Sequence, residues 1–250
     1  MKRVVLITGA VGGIGEATAR VFDEAGWQVV GVDRKQAGGG LHRISHFIEA
    51  DILRPDAPEQ ITAEISAEEG RLDALVNNAA IQVCKPLLET TLDDWELVMA
   101  TNVRAAFLLA CAAHPLLKKS RGAIVNVSSV HAMATSAGMA VYAASKGALL
   151  ALTRSMALEL GHDSIRVNAI LPGAVDTKML RDGLKREYAI GDKEEDLIRA
   201  LGKRHVMNRI GNPEEIGKGI LFLADNEQSS FMTGQSLIVD GGATARLSTE

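Results

Sequence analysis

Short runs of β-branched and aliphatic residues alternate with longer helical patterns along the whole chain. Most of these runs are continuously apolar, which is typical of parallel strands covered on both faces. The predicted strands are Val4–Ile7, Gln28–Val32, Ser45–Glu49, Ala74–Val76, Ala123–Val127, Arg166–Ile170 and Ser236–Val239. Helices are predicted near residues 14–25, 56–69, 93–118, 141–161 and 213–224. This alternation predicts an α/β fold, an open parallel sheet with right-handed crossovers and helices on both faces.

Chain length and composition fit one domain of this kind. With 250 residues the chain can build one large core, and nothing in it requires a second domain. Apolar residues make up 47% and aromatics only 4%, so small aliphatic side chains must fill most contacts between helices and sheet. We therefore expect residues 1–250 to form a single domain that ends in a C-terminal tail at 243–250.

Two segments interrupt the alternation. Arg34–Ile44 contains Gly38, Gly39 and Gly40 and is too short for a full crossover helix, so we interpret it as a loop beside the second strand. Residues 178–208 follow the sixth strand and combine dense mixed charge with a helical pattern. An insertion after the carboxyl end of a strand favours a lid over a ligand crevice, and a solvated helical excursion is the alternative.

Charge and hydropathy give no reason to expect a nucleic-acid or membrane partner. The formal net charge is −4, and no apolar run reaches the ~18 residues of a membrane span. The start from Met1 to Arg3 is weakly signal-like, but the apolar stretch after it is broken by glycines and ends at Glu16. The expectation is a cytoplasmic protein, in which Cys84 and Cys111 are reduced, buried thiols.

The segment Thr8–Gly15 carries four glycines directly after the first strand and opens the first helix. Glycines there allow a tight turn and let backbone N–H groups approach a pyrophosphate at the helix N-terminus. Asp33 then ends the second strand, at the spacing expected for a carboxylate that binds an adenosine ribose. That carboxylate would repel a 2′-phosphate, although Arg34 follows it directly. The pattern favours NAD over NADP, and an ordinary turn with a surface Asp is the alternative.

Further motifs follow in order along the chain. They are Asn77-Asn78-Ala79-Ala80, Asn102, Ser129, Tyr142-Ala143-Ala144-Ser145-Lys146 and Pro172-Gly173. With the glycine turn, this ordered set resembles the short-chain dehydrogenase/reductase family, in its single-domain branch of about 250 residues, over essentially the entire chain. The resemblance implies a Rossmann-type, doubly wound sheet of seven strands. Two departures are Ala80, where glycine is usual, and the short second crossover, which affects the adenine pocket.

Tyr142 and Lys146 suit hydride transfer to or from an alcohol carbon. Oxidising an alcohol removes a hydride from carbon and a proton from oxygen, so a base must touch that oxygen. A free Tyr, with a pKa near ~10, is a poor base at neutral pH. Because the two residues are four apart on a predicted helix, the ammonium is expected to lower the pKa of the phenol, together with a positive nicotinamide. The alternative is an exposed aromatic and a lysine on a solvated helix.

Ser129 and Asn102 complete the catalytic set that the resemblance implies. Ser129 ends the fifth strand thirteen residues before Tyr142, where its hydroxyl would hydrogen-bond the substrate oxygen. Its neighbour Ser128 competes for this role, and the spacing favours Ser129. The family residue that matches Asn102 binds a water linking the lysine to solvent. For Asn102 the alternative is a locally satisfied amide that distorts its helix.

The resemblance also implies the cofactor contacts. Asp51 and Ile52 would flank adenine, Asn78 would pass beside the ribose, and the segment after Pro172 would meet the nicotinamide. The full set is Gly9, Gly12, Gly13, Ile14, Gly15, Asp33, Asp51, Ile52, Asn78, Ala79, Ala80, Tyr142, Lys146, Pro172, Gly173, Val175 and Thr177.

Substrate contacts are expected at Gln82, His131 and Met139, which lie near the other motifs in sequence. A purely structural role for His131 is equally open. The remaining histidines form no ligand set with one another, so no catalytic metal is indicated.

The helices near 93–118 and 141–161 are apolar nearly all round and rich in small residues. A helix that flanks a sheet keeps a polar outer face unless something covers it, so a subunit interface is indicated. The resemblance implies a homo-tetramer, with a dimer as the second choice.

The sequence therefore predicts an NAD-dependent oxidoreductase that moves hydride between nicotinamide and a secondary alcohol or ketone, such as a sugar, a polyol or another small hydroxy compound. Tyr142 would be its acid/base. One alternative is an NADPH-dependent reductase of 3-oxoacyl thioesters, against which Asp33 argues. The other is a nucleotide-sensing scaffold without catalysis, which loss of Tyr142 or Lys146 would have supported.

Overall fold

Seven parallel strands form one sheet in the computed structural model, which describes residues 2–34, 43–184 and 193–245. The strands are β1 (Val4–Thr8), β2 (Gln28–Asp33), β3 (His46–Glu49), β4 (Ala74–Asn77), β5 (Ala123–Val127), β6 (Arg166–Pro172) and β7 (Ser236–Val239). Every neighbouring pair in the order β3-β2-β1-β4-β5-β6-β7 is parallel. The predicted seven-stranded, doubly wound fold is confirmed.

The strand order reverses between β1 and β4, which are neighbours in the sheet. Chain connections leave β1 in one direction across the sheet and β4 in the other. The loops that follow these two strands therefore part, and they leave a crevice at the carboxyl ends of the strands.

Helices cover both faces of the sheet. They are α1 (Gly13–Glu24), α2 (Ala57–Glu68), α3 (Leu92–Met99), α4 (Ala105–Ser120), α5 (Ala140–Leu160), α6 (Lys178–Leu184), α7 (Glu194–Gly202), α8 (Pro213–Ala224) and α9 (Asn226–Ser229). On one face, Phe22 of α1 and Ile220 of α8 belong to one apolar core. On the other face, α2, α4 and α5 form a second core that includes Ile61, Leu109 and Met156. The sheet is thus buried on both sides, which is why its strands are apolar throughout.

The helix predicted at 93–118 is divided in the structure. A π-helical turn at Ala100–Arg104 separates α3 from α4 and contains the buried Asn102. Single π turns inside α-helices are frequent at functional sites. The π-helical turn therefore supports a functional role for Asn102.

The run Leu92–Ser120 is the one helical stretch among the described residues that is long and apolar enough to cross a membrane, with a mean hydropathy of 1.4. In this fold Leu109 and Leu117 of the run belong to the core that residues of α2 and α5 also form. Core helices need the same composition, and the packing of this one is that of a helix covering a sheet.

The two cysteines differ from the prediction of buried thiols. Cys84 is partly buried, and Cys111 is exposed on the outer face of α4; both are free. The prediction is wrong for Cys111 because α4 is apolar on its outer face as well, where the Phe107 side chain is also exposed. The apolar residues that flank Cys111 in the sequence therefore do not indicate that its thiol is buried.

Both segments that interrupt the alternation lie partly outside the described residues. Of the expected loop Arg34–Ile44, residues 35–42 lie outside. The segment 178–208 contains α6 and α7, with residues 185–192 outside the description. Of the tail at 243–250, residues 246–250 lie outside.

Candidate active site

A cavity of about 410 Å³ lies at the carboxyl ends of the strands and is lined by the segments that follow β1 to β6. Of the residues predicted from the sequence, its wall contains Gly9, Gly12, Gly13, Ile14, Asp33, Asp51, Ile52, Asn78, Ala79, Ala80, Gln82, Ser129, His131, Tyr142, Lys146, Pro172, Gly173, Val175 and Thr177. Gly15, Asn102 and Met139 are not part of the wall. The fold therefore brings nearly all of the predicted residues to one place.

The glycine turn forms one end of the cavity. Gly9 has a φ of 66°, in the left-handed region, and a Cβ there would lie 2.9 Å from Ala79 Cα. Gly12 caps the N-terminus of α1 without a side chain, so no side chain competes for its first amides. A Cβ on Gly15 would overlap the carbonyl oxygen of Gly9. Gly15 therefore serves the close packing of turn and helix, whereas Gly12 and Gly13 face the cavity.

The carboxylate of Asp33 stands at the end of β2, on the cavity wall. It accepts hydrogen bonds from the amides of Val11, at 3.2 Å, and Arg34, at 2.8 Å. Because a carboxylate offers about four acceptor positions, capacity remains for two ribose hydroxyls. The glycine turn at the N-terminus of α1 suits a pyrophosphate, and the carboxylate at the end of the neighbouring strand suits a ribose. Together they fit a dinucleotide.

The end of β4 is tied directly to the end of β1. The Asn78 amide nitrogen Nδ2 donates to the carbonyl oxygens of Thr8, at 2.9 Å, and Gly9, at 3.1 Å. In return, Thr8 Oγ1 accepts from the backbone N–H groups of Asn78 and Ala79, both at 3.1 Å. These bonds hold the two sides of the crevice at a constant separation, so Asn78 acts on the shape of the site as well as lining it.

The segment after β6 closes the cavity from the other side. A Cβ on Gly13 would lie 2.7 Å from Thr177 Cγ2, so the glycine turn and this segment nearly touch. A Cβ on Gly173 would lie 2.8 Å from the Cα of Asp240. Asp240, which the sequence interpretation missed, holds the turn after β7 through the amides of Gly242 and Thr244, at 2.9 and 2.8 Å. No motif near Asp240 pointed to this role.

Tyr142, Lys146 and Ser129 meet at the far end of the cavity from Asp33. Tyr142 and Lys146 lie one turn apart in α5, and both side chains are buried. Lys146 Nζ donates to the carbonyl oxygen of Val127 at 2.8 Å and lies 5.6 Å from the centre of the Tyr142 ring. Ser129 lies two residues after the end of β5 and presents its hydroxyl to the phenol. The neighbouring Ser128 donates instead to the carbonyl oxygen of Lys146 at 2.9 Å, so it holds the backbone of α5.

The protonation of this group differs from the expectation. Burial raises the pKa of Tyr142 to about 12, although the hydrogen bond with Ser129 opposes the rise. Burial also lowers the pKa of Lys146 to about 7. The protein groups alone therefore do not make the phenol acidic, because the cost of burying a charge dominates at both residues.

Asn102 lies behind the cavity wall and uses its whole amide. Its Oδ1 accepts from the amide of Ile81 and its Nδ2 donates to the carbonyl of Ile81, both at 2.9 Å. The same Nδ2 donates to Ser145 Oγ at 3.0 Å. The side chain thus joins the π-helical turn to the loop after β4 and to α5. The amide of Asn102 thus has its hydrogen-bond partners within the protein, and the helix is distorted at this residue. A water path through Asn102 stays a prediction.

Two of the three expected substrate residues reach the cavity. His131 lines the wall, with Nδ1 2.8 Å from Thr135 Oγ1 and its ring edge-on to Tyr142 at 5.7 Å between centroids. Gln82 lines the wall near α6. Met139 is only 1% exposed and contacts Cys84 through the two sulfur atoms at 3.5 Å. The structure therefore does not bring Met139 to a substrate, because the residue before α5 points into the protein.

Other wall residues were not singled out from the sequence, among them Leu97, Thr101, Met179 and Leu180. Met179 and Leu180 belong to α6, within the predicted lid. Helical apolar residues carry no signal that separates a cavity wall from a core. Within residues 2–34, 43–184 and 193–245, no three His, Cys, Asp or Glu side chains are grouped so that they could hold a metal ion.

Comparisons with known proteins agree over nearly the full chain. A family model described as enoyl-(acyl carrier protein) reductase matches residues 9–244. The meso-2,3-butanediol dehydrogenase of Serratia marcescens is 36% identical in an alignment that covers 98% of this chain and 95% of that protein. A 3-oxoacyl-(acyl-carrier-protein) reductase of Chlamydia muridarum is 33% identical, covering 97% of both chains. The ligand-free structure of Thermoplasma acidophilum aldohexose dehydrogenase superimposes with a TM-score of 0.92 at 33% identity, covering 99% of this chain and 96% of that one.

Proposed function

Because the chain belongs to the short-chain dehydrogenase/reductase family of oxidoreductases, we propose that it is an NAD-dependent dehydrogenase of small secondary alcohols, including sugars and polyols. The observation that carries the proposal is the convergence of Ser129, Tyr142 and Lys146 at one end of a cavity whose other end holds the glycine turn and Asp33. A hydroxyl-bearing carbon placed at the Tyr142 end would lie in reach of both an acid/base and a dinucleotide.

The proposed chemistry divides between the cofactor and the chain. When bound, a dinucleotide would supply the hydride acceptor or donor and, in its oxidised form, a positive charge. Tyr142 would take the hydroxyl proton of the substrate during oxidation and return it during reduction. Ser129 would hydrogen-bond the same oxygen and stabilise the charge that develops there. Since its own pKa is about 7, Lys146 would exchange protons with the site at neutral pH.

Asp33 supports NAD as the cofactor. Its carboxylate lines the cavity at the end of β2 and would repel a 2′-phosphate on the ribose. Arg34 also lines the cavity and is the residue that would favour NADP. The acid precedes the base at the strand end, where the backbone orients it toward Val11 and the glycine turn, so we favour NAD.

The relatives support an alcohol as substrate and also name the second candidate. One relative is a butanediol dehydrogenase and one solved structure an aldohexose dehydrogenase, whereas another relative reduces 3-oxoacyl groups on acyl carrier protein. A 3-oxoacyl reductase that uses NADPH is therefore the second candidate. Because the chain belongs to a family of oxidoreductases, we do not propose a nucleotide sensor without catalysis.

Assembly as a homo-tetramer, with a dimer second, remains our proposal. The outer faces of α4 and α5 carry exposed apolar side chains, with Phe107 at 47% and Leu158 at 78%. Pairing of these helices between copies would cover them. A single monomeric species in size-exclusion chromatography at micromolar concentration would contradict this. A cytoplasmic location also stays a prediction.

The experiment that tests the proposed function is a panel of secondary alcohols, sugars, polyols and ketones, assayed with NAD(H) and NADP(H) through the absorbance of the reduced nicotinamide. We expect NAD-linked oxidation of at least one small alcohol or sugar. Turnover restricted to 3-oxoacyl thioesters with NADPH would replace the proposal with the second candidate.

A further inference from the structure

The side chain of Gln82 links two walls of the cavity. Gln82 lies in the loop after β4, and its Nε2 donates to the carbonyl oxygen of Met179 in α6 at 2.6 Å. Both residues line the cavity. The bond therefore joins the fixed part of the site to the described beginning of the segment predicted to be a lid.

The loop end of this link is held to the catalytic helix. Ile81, the residue before Gln82, is bound through both its N–H and its carbonyl by the side chain of Asn102. Asn102 also donates to Ser145 Oγ at 3.0 Å, and that hydroxyl donates to the carbonyl oxygen of Tyr142 at 2.7 Å. A continuous series of hydrogen bonds and one peptide unit thus leads from α6 to the turn of α5 that carries the acid/base.

Two ion pairs join α6 to another part of the described chain. Arg181 forms ion pairs with Asp176, at 2.8 Å, and with Glu194, at 2.6 Å. Asp176 precedes α6 and Glu194 begins α7, so these pairs join α6 to its own excursion. These two ion pairs do not fix the distance between α6 and the turn of α5 that carries Tyr142. The Gln82 bond crosses between the cavity walls and does bear on that distance.

We propose that Gln82 is a positioning and specificity-determining residue that sets the height of α6 above the reacting atoms and so limits the size of the substrate. The proposal rests on the proposed function. With the bond in place, Met179 and Leu180 lie close above the substrate end and enclose a small secondary alcohol. Without it, α6 moves outward, so that small alcohols are held less well and bulkier ones enter.

Two substitutions separate this role from direct contact with the substrate. Gln82→Met keeps the length of the side chain and removes its polar atoms, whereas Gln82→Glu keeps the acceptor oxygens and loses the donor. Since the bond to Met179 needs a donor, both variants are expected to raise KM for a small alcohol such as meso-2,3-butanediol by about 3- to 10-fold. Both should also raise the ratio of kcat/KM for a bulky cyclic alcohol to that for the small one. Gln235→Met, on an exposed residue remote from the cavity, is the control and should change neither value.

If Gln82 acts only by accepting a hydrogen bond from the substrate, Gln82→Met loses activity toward the small alcohol while Gln82→Glu retains it. That outcome would overturn the proposal, and so would an unchanged size preference in both variants.

Hydrogen–deuterium exchange supplies a readout that needs no turnover. Peptides that cover Lys178–Leu184 should exchange faster in both Gln82 variants than in the wild type and the Gln235→Met control, with NAD present in each sample. Equal exchange in all four proteins contradicts the proposal. If the wild type oxidises no alcohol with either cofactor, the proposed function fails, while the exchange measurement still decides whether Gln82 holds α6.

Discussion

The ammonium nitrogen of Lys146 lies 5.6 Å from the centre of the Tyr142 ring, and its hydrogen bond goes to the carbonyl oxygen of Val127 and not to the phenol. The two side chains are 2% and 8% exposed. Burial opposes the charged form of each group. A neutral phenol beside a readily deprotonated lysine is the resting arrangement of the chain's own groups.

Replacement of Tyr142 by Phe removes the proposed acid/base while keeping the buried ring. We expect Tyr142→Phe to lower kcat by at least about 10²-fold, the lower bound of what a positioned acid or base contributes. Cofactor affinity should stay within a few-fold of wild type, because the glycine turn and Asp33 are untouched. Steady-state kinetics with titration of NADH fluorescence checks both points, and retained turnover would remove Tyr142 from the mechanism.

Lys146→Met is expected to abolish most activity, weaken cofactor binding and at the same time stabilise the fold at neutral pH. The pKa of Lys146 is lowered from 10.5 to about 7 in the folded chain. Between these values the unfolded chain binds more protons at this site, so the wild type gains stability as the pH rises, by up to about 1.4 kcal/mol per pH unit. A methionine has no such dependence, so the advantage of the variant should be largest at pH 7 and shrink toward pH 9.

Urea unfolding of both proteins at pH 7, 8 and 9 measures that difference, in which the other titrating groups cancel. A constant difference across the three values would show that folding does not lower the pKa of Lys146, which would then stay protonated in the folded chain. An unchanged pH–rate profile in Lys146→Met would contradict its role in proton transfer.

The fold could be predicted because short stretches of the sequence carry the patterns that identify its strands and helices. Strands such as Ala123–Val127 are apolar without alternation, and this pattern arises only where both faces of a strand are covered. The order of strands and helices then leaves few topologies, since parallel crossovers are right-handed. The positions of Gly9, Asp33, Tyr142 and Lys146 at strand ends or helix starts followed from the same alternation.

What could not be predicted depends on contacts between distant segments. The π-helical turn at Ala100–Arg104 accompanies bonds from Asn102 to Ile81 and Ser145, which are 21 and 43 residues away. Met139 was expected at the substrate, but the local path of the chain turns it against Cys84. The pKa of Tyr142 was expected to fall, and burial by residues far along the chain raises it to about 12.

The choice of cofactor is predicted to depend on the charge of Asp33. Asp33→Asn keeps the shape of the side chain and removes the charge that would repel a 2′-phosphate, while Arg34 stays in place. We expect the ratio of kcat/KM for NADP to that for NAD to rise by at least about 10-fold, equivalent to about 1.4 kcal/mol. Kinetics with both cofactors on one alcohol measure the ratio. A ratio that does not move would mean that Asp33 does not face the ribose.

Several arginines contact the segment of α8. We predict that substitution of Arg166 lowers the free energy of unfolding more than substitution of any of the others. Its guanidinium is buried and donates to the carbonyl oxygens of Leu223 and Ala224, at 2.8 and 3.1 Å, and to Ser229 Oγ at 3.0 Å. Arg166→Met removes the charged donor from all three buried acceptors, of which the Leu223 carbonyl keeps a bond from Ser229 Oγ at 3.2 Å, so the free energy of unfolding should fall by at least about 3 kcal/mol. Arg20→Met is the matched control: Arg20 forms an exposed ion pair with Glu214 of α8 at 3.1 Å, and such pairs contribute about 0–1 kcal/mol. Urea unfolding at pH 7 compares the two variants, and equal losses would mean that the bonds of Arg166 at the end of α8 contribute no more than a surface pair.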